Sequence, residues 1–192
     1  VIRTNLSAAF YTTAAATPVL RERAKRGDER RGRIVNIVST AGFYGNFGQA
    51  AYAAAKAGLM GLTRVTAMDM ARSGVACNAV APFGATRVTE SIRPANPAQE
   101  SYKARALTIE ARHVGGFVAW LCGDEAQSVS GQLFAVRGRE VFLFSQARPV
   151  ARIVDDGCWD GAALSAAVAE TFAPAFTPLE TDLEAFDTDP IL

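Results

Sequence analysis

The stretch RIVNIVSTAGFYGNFGQAAYAAAKAGLMGLTRVTAMDMARSGVACNAVAP, residues 33–82, decides the fold. Ile34 to Val38 is an apolar, β-branched run that follows Gly32 and leads into a loop through Ser39, Gly42, Gly45 and Gly48, the mark of a short buried strand. Ala50 to Ser73 spaces Leu59, Leu62, Val65 and Met68 along a helical face and closes at Gly74, a natural helix C-cap. Val75 to Val80 reads as a second buried strand, which Ala81-Pro82-Phe83-Gly84 breaks. Strand, helix and strand in this order predict a right-handed parallel crossover, and so an α/β fold with a parallel sheet.

Two residues of the helix carry chemistry. Tyr52 and Lys56 are four apart, so they share a helix face with β-carbons about 6 Å apart. A phenol with a pKa of about 10 supplies little phenolate at neutral pH, and a neighbouring ammonium favours that phenolate. Ser39 stands at the carboxyl end of the first strand, the edge where ligands bind in open α/β sheets. Each residue also has a plain reading: an amphipathic aromatic on a surface helix for Tyr52, a turn residue bonding its own backbone for Ser39.

Ser39, the thirteen-residue step to Tyr52, Lys56 four further on, and CNAVAP together resemble the catalytic half of the short-chain dehydrogenase/reductase family. The opening TNLSAAF resembles the family helix bearing a fourth catalytic residue, an asparagine, here Asn5. The likeness runs from about residue 1 to 145 and implies a Rossmann-like doubly wound sheet present as its C-terminal half. GNFGQAAYAAAKAGLMGLT and APFGATRVT are most similar to the hydroxyacyl-CoA dehydrogenase domains of the peroxisomal multifunctional enzyme type and its bacterial relatives. Ketoacyl-carrier-protein reductases share most of these letters, and a small alcohol or a steroid is a further alternative substrate.

The resemblance implies hydride transfer between a secondary alcohol or ketone and NAD or NADP, with NAD favoured. Tyr52 would exchange a proton with the substrate oxygen, Lys56 would lower the tyrosine pKa and hold the ribose hydroxyls, and Ser39 would hydrogen-bond the substrate oxygen. Asn5 would anchor a water between Lys56 and solvent; otherwise it is a helix cap or turn residue. The loop Pro82, Phe83, Gly84 would contact the nicotinamide. Where many relatives carry a threonine five residues past that proline, this chain has Arg87, flanked by Thr86 and Thr89. Ile92 to Arg112 is expected to be a mobile substrate lid.

No G-x-G-x-x-G fingerprint occurs in the sequence, and Gly42, Gly45 and Gly48 belong to the active-site loop. The units that hold pyrophosphate and adenosine are expected to be missing, which makes the chain a fragment, inactive alone and binding cofactor weakly. A reading from another class follows: a truncated paralogue acting through its helix-pair interface. The small residues Ala53, Ala54, Ala57, Gly58 and Gly61 let helices approach closely, and relatives use these helices to form dimers and tetramers, so a homo-oligomer is implied.

With 192 residues, 49% of them hydrophobic, the chain can bury one sizeable core, and a formal charge of +1 gives no reason to expect nucleic acid or an anionic membrane. The basic cluster from Arg21 to Arg33 is interspersed with acids and reads as a solvated helix end and loop. Cys77, Cys122 and Cys158 are scattered, and His113 is the single histidine, which fits neither a disulfide framework nor a metal site and suits a cytoplasmic protein. Residues 146–192 depart from the compact family pattern and are expected to form an extension. Ala162 to Phe172 is expected to form a helix in it, and the acidic end LETDLEAFDTDPIL to be frayed or docked on a neighbouring subunit.

Overall fold

The computed structural model describes residues 1–29, 31–155, 157–186 and 188–192. Arg30 of the basic cluster and Asp187 of the acidic end lie outside the described residues. By contacts the chain forms two units, Val1–Phe144 with Thr181–Leu192, and Ser145–Glu180.

In the larger unit a π-type turn, Arg3–Ser7, leads into α1 (Ala8–Lys25), β1 (Arg33–Ile37), α2 (Ala41–Tyr44), α3 (Ala50–Met70) and β2 (Ala76–Pro82). After these come α4 (Arg87–Ser91), α5 (Pro97–Ala106), α6 (Arg112–Cys122), β3 (Leu133–Arg137) and β4 (Glu140–Phe144). The sheet order is β1-β2-β3-β4, with β1, β2 and β3 parallel and β4 antiparallel to β3. This is the α/β sheet expected from the crossover pattern.

Alternation along the strands divides the core into two layers. Ala79, Ala81, Leu133 and Ala135 pack with Leu59 of α3 on one face, while Val80, Phe134 and Val136 pack with Leu121 of α6 on the other. With both faces covered, β2 reads as the continuous run ACNAVA, in which every residue is buried. Two asparagines interrupt this apolar pattern, and each is hydrogen-bonded across the core. Asn78 donates to Val129 O at 2.7 Å and accepts from Gln132 N at 3.0 Å, fixing the approach to β3, and Asn36 donates to Thr63 Oγ1 at 2.9 Å across to α3.

The face of α3 differs from its large apolar residues. Ala55, Leu59, Thr63, Thr66, Ala67 and Met70 are buried, whereas Val65 and Met68 are exposed. Two alanines and two threonines share the buried side with Leu59 and Met70, and the hydroxyl of Thr63 is satisfied by Leu59 O at 2.7 Å. The helix ends as expected: Gly74 adopts φ +64°, a left-handed conformation that glycine takes without a Cβ penalty.

The expected lid, residues 92 to 112, holds α5. Asn96 caps it by accepting from Gln99 N at 2.9 Å, Pro97 opens it, and Ala106 and Ile109 are buried. Lys103 Nζ ties α5 back to Glu90 O and Ile92 O at 2.7 and 2.8 Å.

The smaller unit contains α7 (Gly161–Ala167), which a π-type segment continues to Phe172; Asp160 caps it through Ala162 N and Ala163 N, both at 2.8 Å. Only Ser145–Glu180 stands as a separate unit. The final stretch, with α8 (Asp182–Ala185), instead returns to its own sheet. Arg137 at the end of β3 reaches Thr188 O at 2.8 Å and Phe186 packs among Phe83, Phe142, Phe144 and Tyr44, which hold the stretch against that sheet. Among the described residues no helix is long and apolar enough to cross a membrane.

Candidate active site

Ser39 follows β1 and opens the turn into α2. Its Oγ accepts from Ala41 N at 3.2 Å, an arrangement that leaves the hydroxyl proton free to be donated elsewhere. The turn is pressed on α3: a Cβ on Gly42 would stand 2.8 Å from Ala57 N and 2.9 Å from the Lys56 carbonyl carbon. Only glycine fits against that backbone, so Gly42 sets how closely the serine loop approaches the helix bearing Tyr52 and Lys56.

Lys56 Nζ lies 5.5 Å from the centroid of the Tyr52 ring and donates to Ile37 O at 2.9 Å. That carbonyl faces the free edge of β1. In a parallel pair, alternate residues bond the neighbour, and Val38 N already bonds Val80 O at 2.9 Å, so Ile37 points the other way. The ammonium is thus anchored at the carboxyl end of the strand, and partial burial pushes its pKa below the ordinary lysine value.

Asn5 donates to Val1 O at 3.2 Å, which leaves its side-chain carbonyl available. It lines a cavity of about 450 Å³ with Ile37 and Lys56, between α1 and the edge of β1. The structure therefore brings Asn5 and Lys56 to one space, and Tyr52 and Lys56 to one helix face with the Ser39 loop docked beside them. No hydrogen bond joins the Ser39 and Tyr52 hydroxyls among the described residues.

Pro82, Phe83 and Gly84 continue from β2 at the same sheet edge. Phe83 N bonds Val136 O at 2.8 Å, and Phe83 stacks edge-on with Phe186 at 5.5 Å. The two flanking threonines are spent on the loop itself: Thr86 caps α4 by accepting from Thr89 N at 3.2 Å, and Thr89 Oγ1 donates to Gly84 O at 3.2 Å.

Sequence reasoning missed the neighbours supplied by the chain's end. Thr40, next to Ser39, donates to Asp182 Oδ2 at 2.7 Å. A signal for this segment was present in Thr181-Asp-Leu-Glu184, the capping-box pattern, which the structure realises with Thr181 N bonded to Glu184 Oε2 at 2.7 Å.

A family model described as short chain dehydrogenase matches residues 1–100. The chain belongs to the short-chain dehydrogenase family. The hydroxyacyl-CoA dehydrogenase ChsB1 of Mycobacterium tuberculosis is 37% identical over 88% of this chain and 54% of its own length. A 3-oxoacyl-[acyl-carrier-protein] reductase of Synechocystis is 39% identical over 74% of this chain and 56% of its own length. The peroxisomal hydratase-dehydrogenase-epimerase of Saccharomyces cerevisiae is 34% identical over 72% of this chain and 14% of its own length. A crystal structure of a short chain dehydrogenase from Mycobacterium avium superposes with a TM-score of 0.78 at 34% identity, over 94% of this chain and 59% of that one. The chain thus spans little more than half the length of the first two relatives and of the solved structure. Within this short-chain dehydrogenase, the serine loop, the tyrosine-lysine helix and the Pro82–Gly84 loop share the carboxyl edge of the parallel strands, where ligands bind in such sheets.

Proposed function

We propose that this short-chain dehydrogenase performs the proton-transfer side of a nicotinamide-dependent oxidation or reduction at a secondary alcohol or ketone. The substrate is a 3-hydroxyacyl thioester and Tyr52 is the acid/base. The observation that carries the reading is the anchoring of Lys56 at the end of β1, 2.9 Å from Ile37 O and 5.5 Å from the Tyr52 ring, beside the docked Ser39 loop. The nicotinamide, when bound, supplies the hydride acceptor or donor.

The residues present suit the nicotinamide-ribose end of such a cofactor. Lys56 offers two further N–H donors beyond the one held by Ile37 O, Tyr52 offers a hydroxyl, and Pro82, Phe83 and Gly84 stand at the adjacent strand end. During alcohol oxidation Tyr52 takes the substrate hydroxyl proton, with the Lys56 ammonium beside its ring on the same helix face. Ser39 donates its free proton to the substrate oxygen and stabilises the charge developing there. Asn5 holds a water in the shared cavity, through which Lys56 exchanges protons with solvent.

The thioester preference follows from the likeness to the mycobacterial hydroxyacyl-CoA dehydrogenase; of NAD and NADP we favour NAD, on the family resemblance of the sequence alone. The similarity to the Synechocystis reductase supports a second reading, a ketoacyl group on carrier protein. Exposed Val65 and Met68 on α3 and Phe10 and Tyr11 on α1 support self-association through these helices. The test is an NADH- and NADPH-linked assay of the full-length protein on matched CoA and carrier-protein thioesters. Tyr52→Phe should lower kcat by about 10²- to 10⁴-fold with the melting temperature unchanged. Activity confined to carrier-protein substrates would remove the thioester-CoA assignment, and near-normal turnover by the Tyr52 variant would remove the mechanism.

A further inference from the structure

The serine turn is held from two sides. Local bonds give it its shape: Ser39 O accepts from Gly42 N at 2.9 Å, and Thr40 O accepts from Phe43 N and Tyr44 N at 2.8 and 2.9 Å. On one side Gly42 rests on the backbone of α3. On the other a bond arrives from the end of the chain, where Asp182 Oδ2 accepts from Thr40 Oγ1 at 2.7 Å. Thr40 is only 7% exposed, and a short hydrogen bond from such a hydroxyl to a carboxylate is among the stronger ones a protein makes.

The bond acts one residue from the chemistry. Ser39 Oγ accepts from Ala41 N at 3.2 Å, and that N–H belongs to the peptide joining Thr40 to Ala41. The two anchored residues, Thr40 and Gly42, flank Ala41, so the direction of this N–H is fixed from both sides. By occupying a lone pair of the serine oxygen, the N–H leaves the hydroxyl proton to be donated away from the turn. Asp182 is itself held in place as the first residue of α8, which Thr181 and Glu184 close with a capping box. Just past this helix Phe186 meets Tyr44 of α2 and Phe83 of the Pro82–Gly84 loop, with ring centroids 6.3 and 5.5 Å apart. Asp182 thus stands on a short helix braced against both loops of the candidate site.

We propose that Asp182 is a positioning residue for Ser39: by accepting the Thr40 hydrogen bond it fixes the turn, and so the direction in which Ser39 donates to the substrate oxygen. It acts through Thr40 and touches no reacting atom. A hydrogen bond to charge that develops at the substrate oxygen reaches its full strength only in the transition state, and a misplacement of about 1 Å can cost about 10²-fold in rate. The loss of Asp182 therefore falls on kcat rather than KM. This kinetic consequence rests on the role of Ser39 in the function proposed above, whereas the hold on the turn does not.

The test is a set of variants of the full-length enzyme, assayed on 3-hydroxydecanoyl-CoA and the matching carrier-protein thioester. Asp182→Ala and Thr40→Val should each lower kcat about tenfold, with KM within about twofold of wild type. Asp182→Asn keeps an acceptor for the Thr40 hydroxyl and should recover most of the loss. In a Ser39→Ala background, Asp182→Ala should cost less than about a further twofold, because its effect passes through the serine. A normal kcat in Asp182→Ala, a change in KM alone, or an undiminished loss in the Ser39→Ala background overturns the proposal. Wild-type turnover by Ser39→Ala instead removes the catalytic role of the serine. Hydrogen exchange reads the hold without any turnover: the Ala41 and Gly42 amides should exchange at least about fivefold faster in Asp182→Ala, and unchanged exchange overturns the hold.

Discussion

Replacing Arg137 by methionine tests whether a buried ion pair fastens the end of the chain to its sheet. Arg137 is only 5% exposed; it reaches Glu140 at 3.0 and 3.3 Å, Thr188 O at 2.8 Å and Thr188 Oγ1 at 2.9 Å. Its guanidinium also lies over the rings of Phe142 and Phe186, at 5.3 and 5.1 Å. Methionine preserves much of the stem but leaves the Glu140 carboxylate, itself 16% exposed, without its cation. Removing one partner of a buried pair costs about 3–5 kcal/mol, and the lower end is expected because Ile191 N still donates to Glu140. With a urea m-value of about 2 kcal/mol/M, a loss of about 3 kcal/mol lowers the unfolding midpoint by about 1.5 M. The double variant Arg137→Met/Glu140→Leu removes the stranded charge and should recover most of that loss, within about 1 kcal/mol of wild type. Limited proteolysis should cut the 181–192 segment faster in the single variant. A single-variant loss below about 1 kcal/mol, or a double variant as unstable as the single, would refute the reasoning.

Gly42→Ala places a methyl 2.8 Å from Ala57 N, and backbone cannot step aside, so the serine loop must lift from α3. Activity should fall at least tenfold in the full-length enzyme with far-ultraviolet circular dichroism preserved; unchanged activity would show that the loop's approach does not matter. Of the three thiols, exposed Cys122 and Cys158 should react with a thiol reagent at pH 8, and buried Cys77 only on unfolding. Burial raises the Cys77 pKa to about 12, above the ordinary value near 9 that it regains when unfolded. The folded state therefore keeps a proton that the unfolded state releases: its contribution is full below about pH 9 and is lost as pH rises towards 12. Denaturation between pH 8 and pH 10.5 should show a shallower decline for Cys77→Ala than for wild type, and parallel declines would contradict the burial argument. Asn78→Ala leaves Val129 O and Gln132 N without partners and should cost about 2–4 kcal/mol, read as a shifted thermal midpoint.

The parts of this molecule legible in its sequence are those whose physics is local. The run Ile34–Val38, the left-handed Gly74 and the Asp160 cap each act within a few residues, and the strands, the end of α3 and the start of α7 follow from them. The side of α3 that packs was less legible, because Val65 and Met68 carry hydropathy outward while Thr63 and Thr66 go inward. A periodicity count weighs side chains by polarity, but a threonine can go inward because its hydroxyl can be satisfied by the helix's own backbone, as Thr63 is by Leu59 O.

The same contrast explains the candidate site. Tyr52 and Lys56 were legible because four residues on a helix fix a shared face, and Ser39 because a strand end fixes an edge. Thr40 and Asp182 stand 142 positions apart, and the hydrogen bond between them depends on the chain's end crossing its own sheet. The capping box at Thr181 announces a helix there, but nothing within it says where the helix docks. That information lies in Arg137, a charged residue inside an otherwise apolar strand, LFAVR, where burial is costly unless a partner is present. Glu140, three residues on, meets the charge, and the remaining donors of the guanidinium are met by Thr188, 51 positions away, so a buried arginine at a strand's carboxyl end can mark where a distant segment returns.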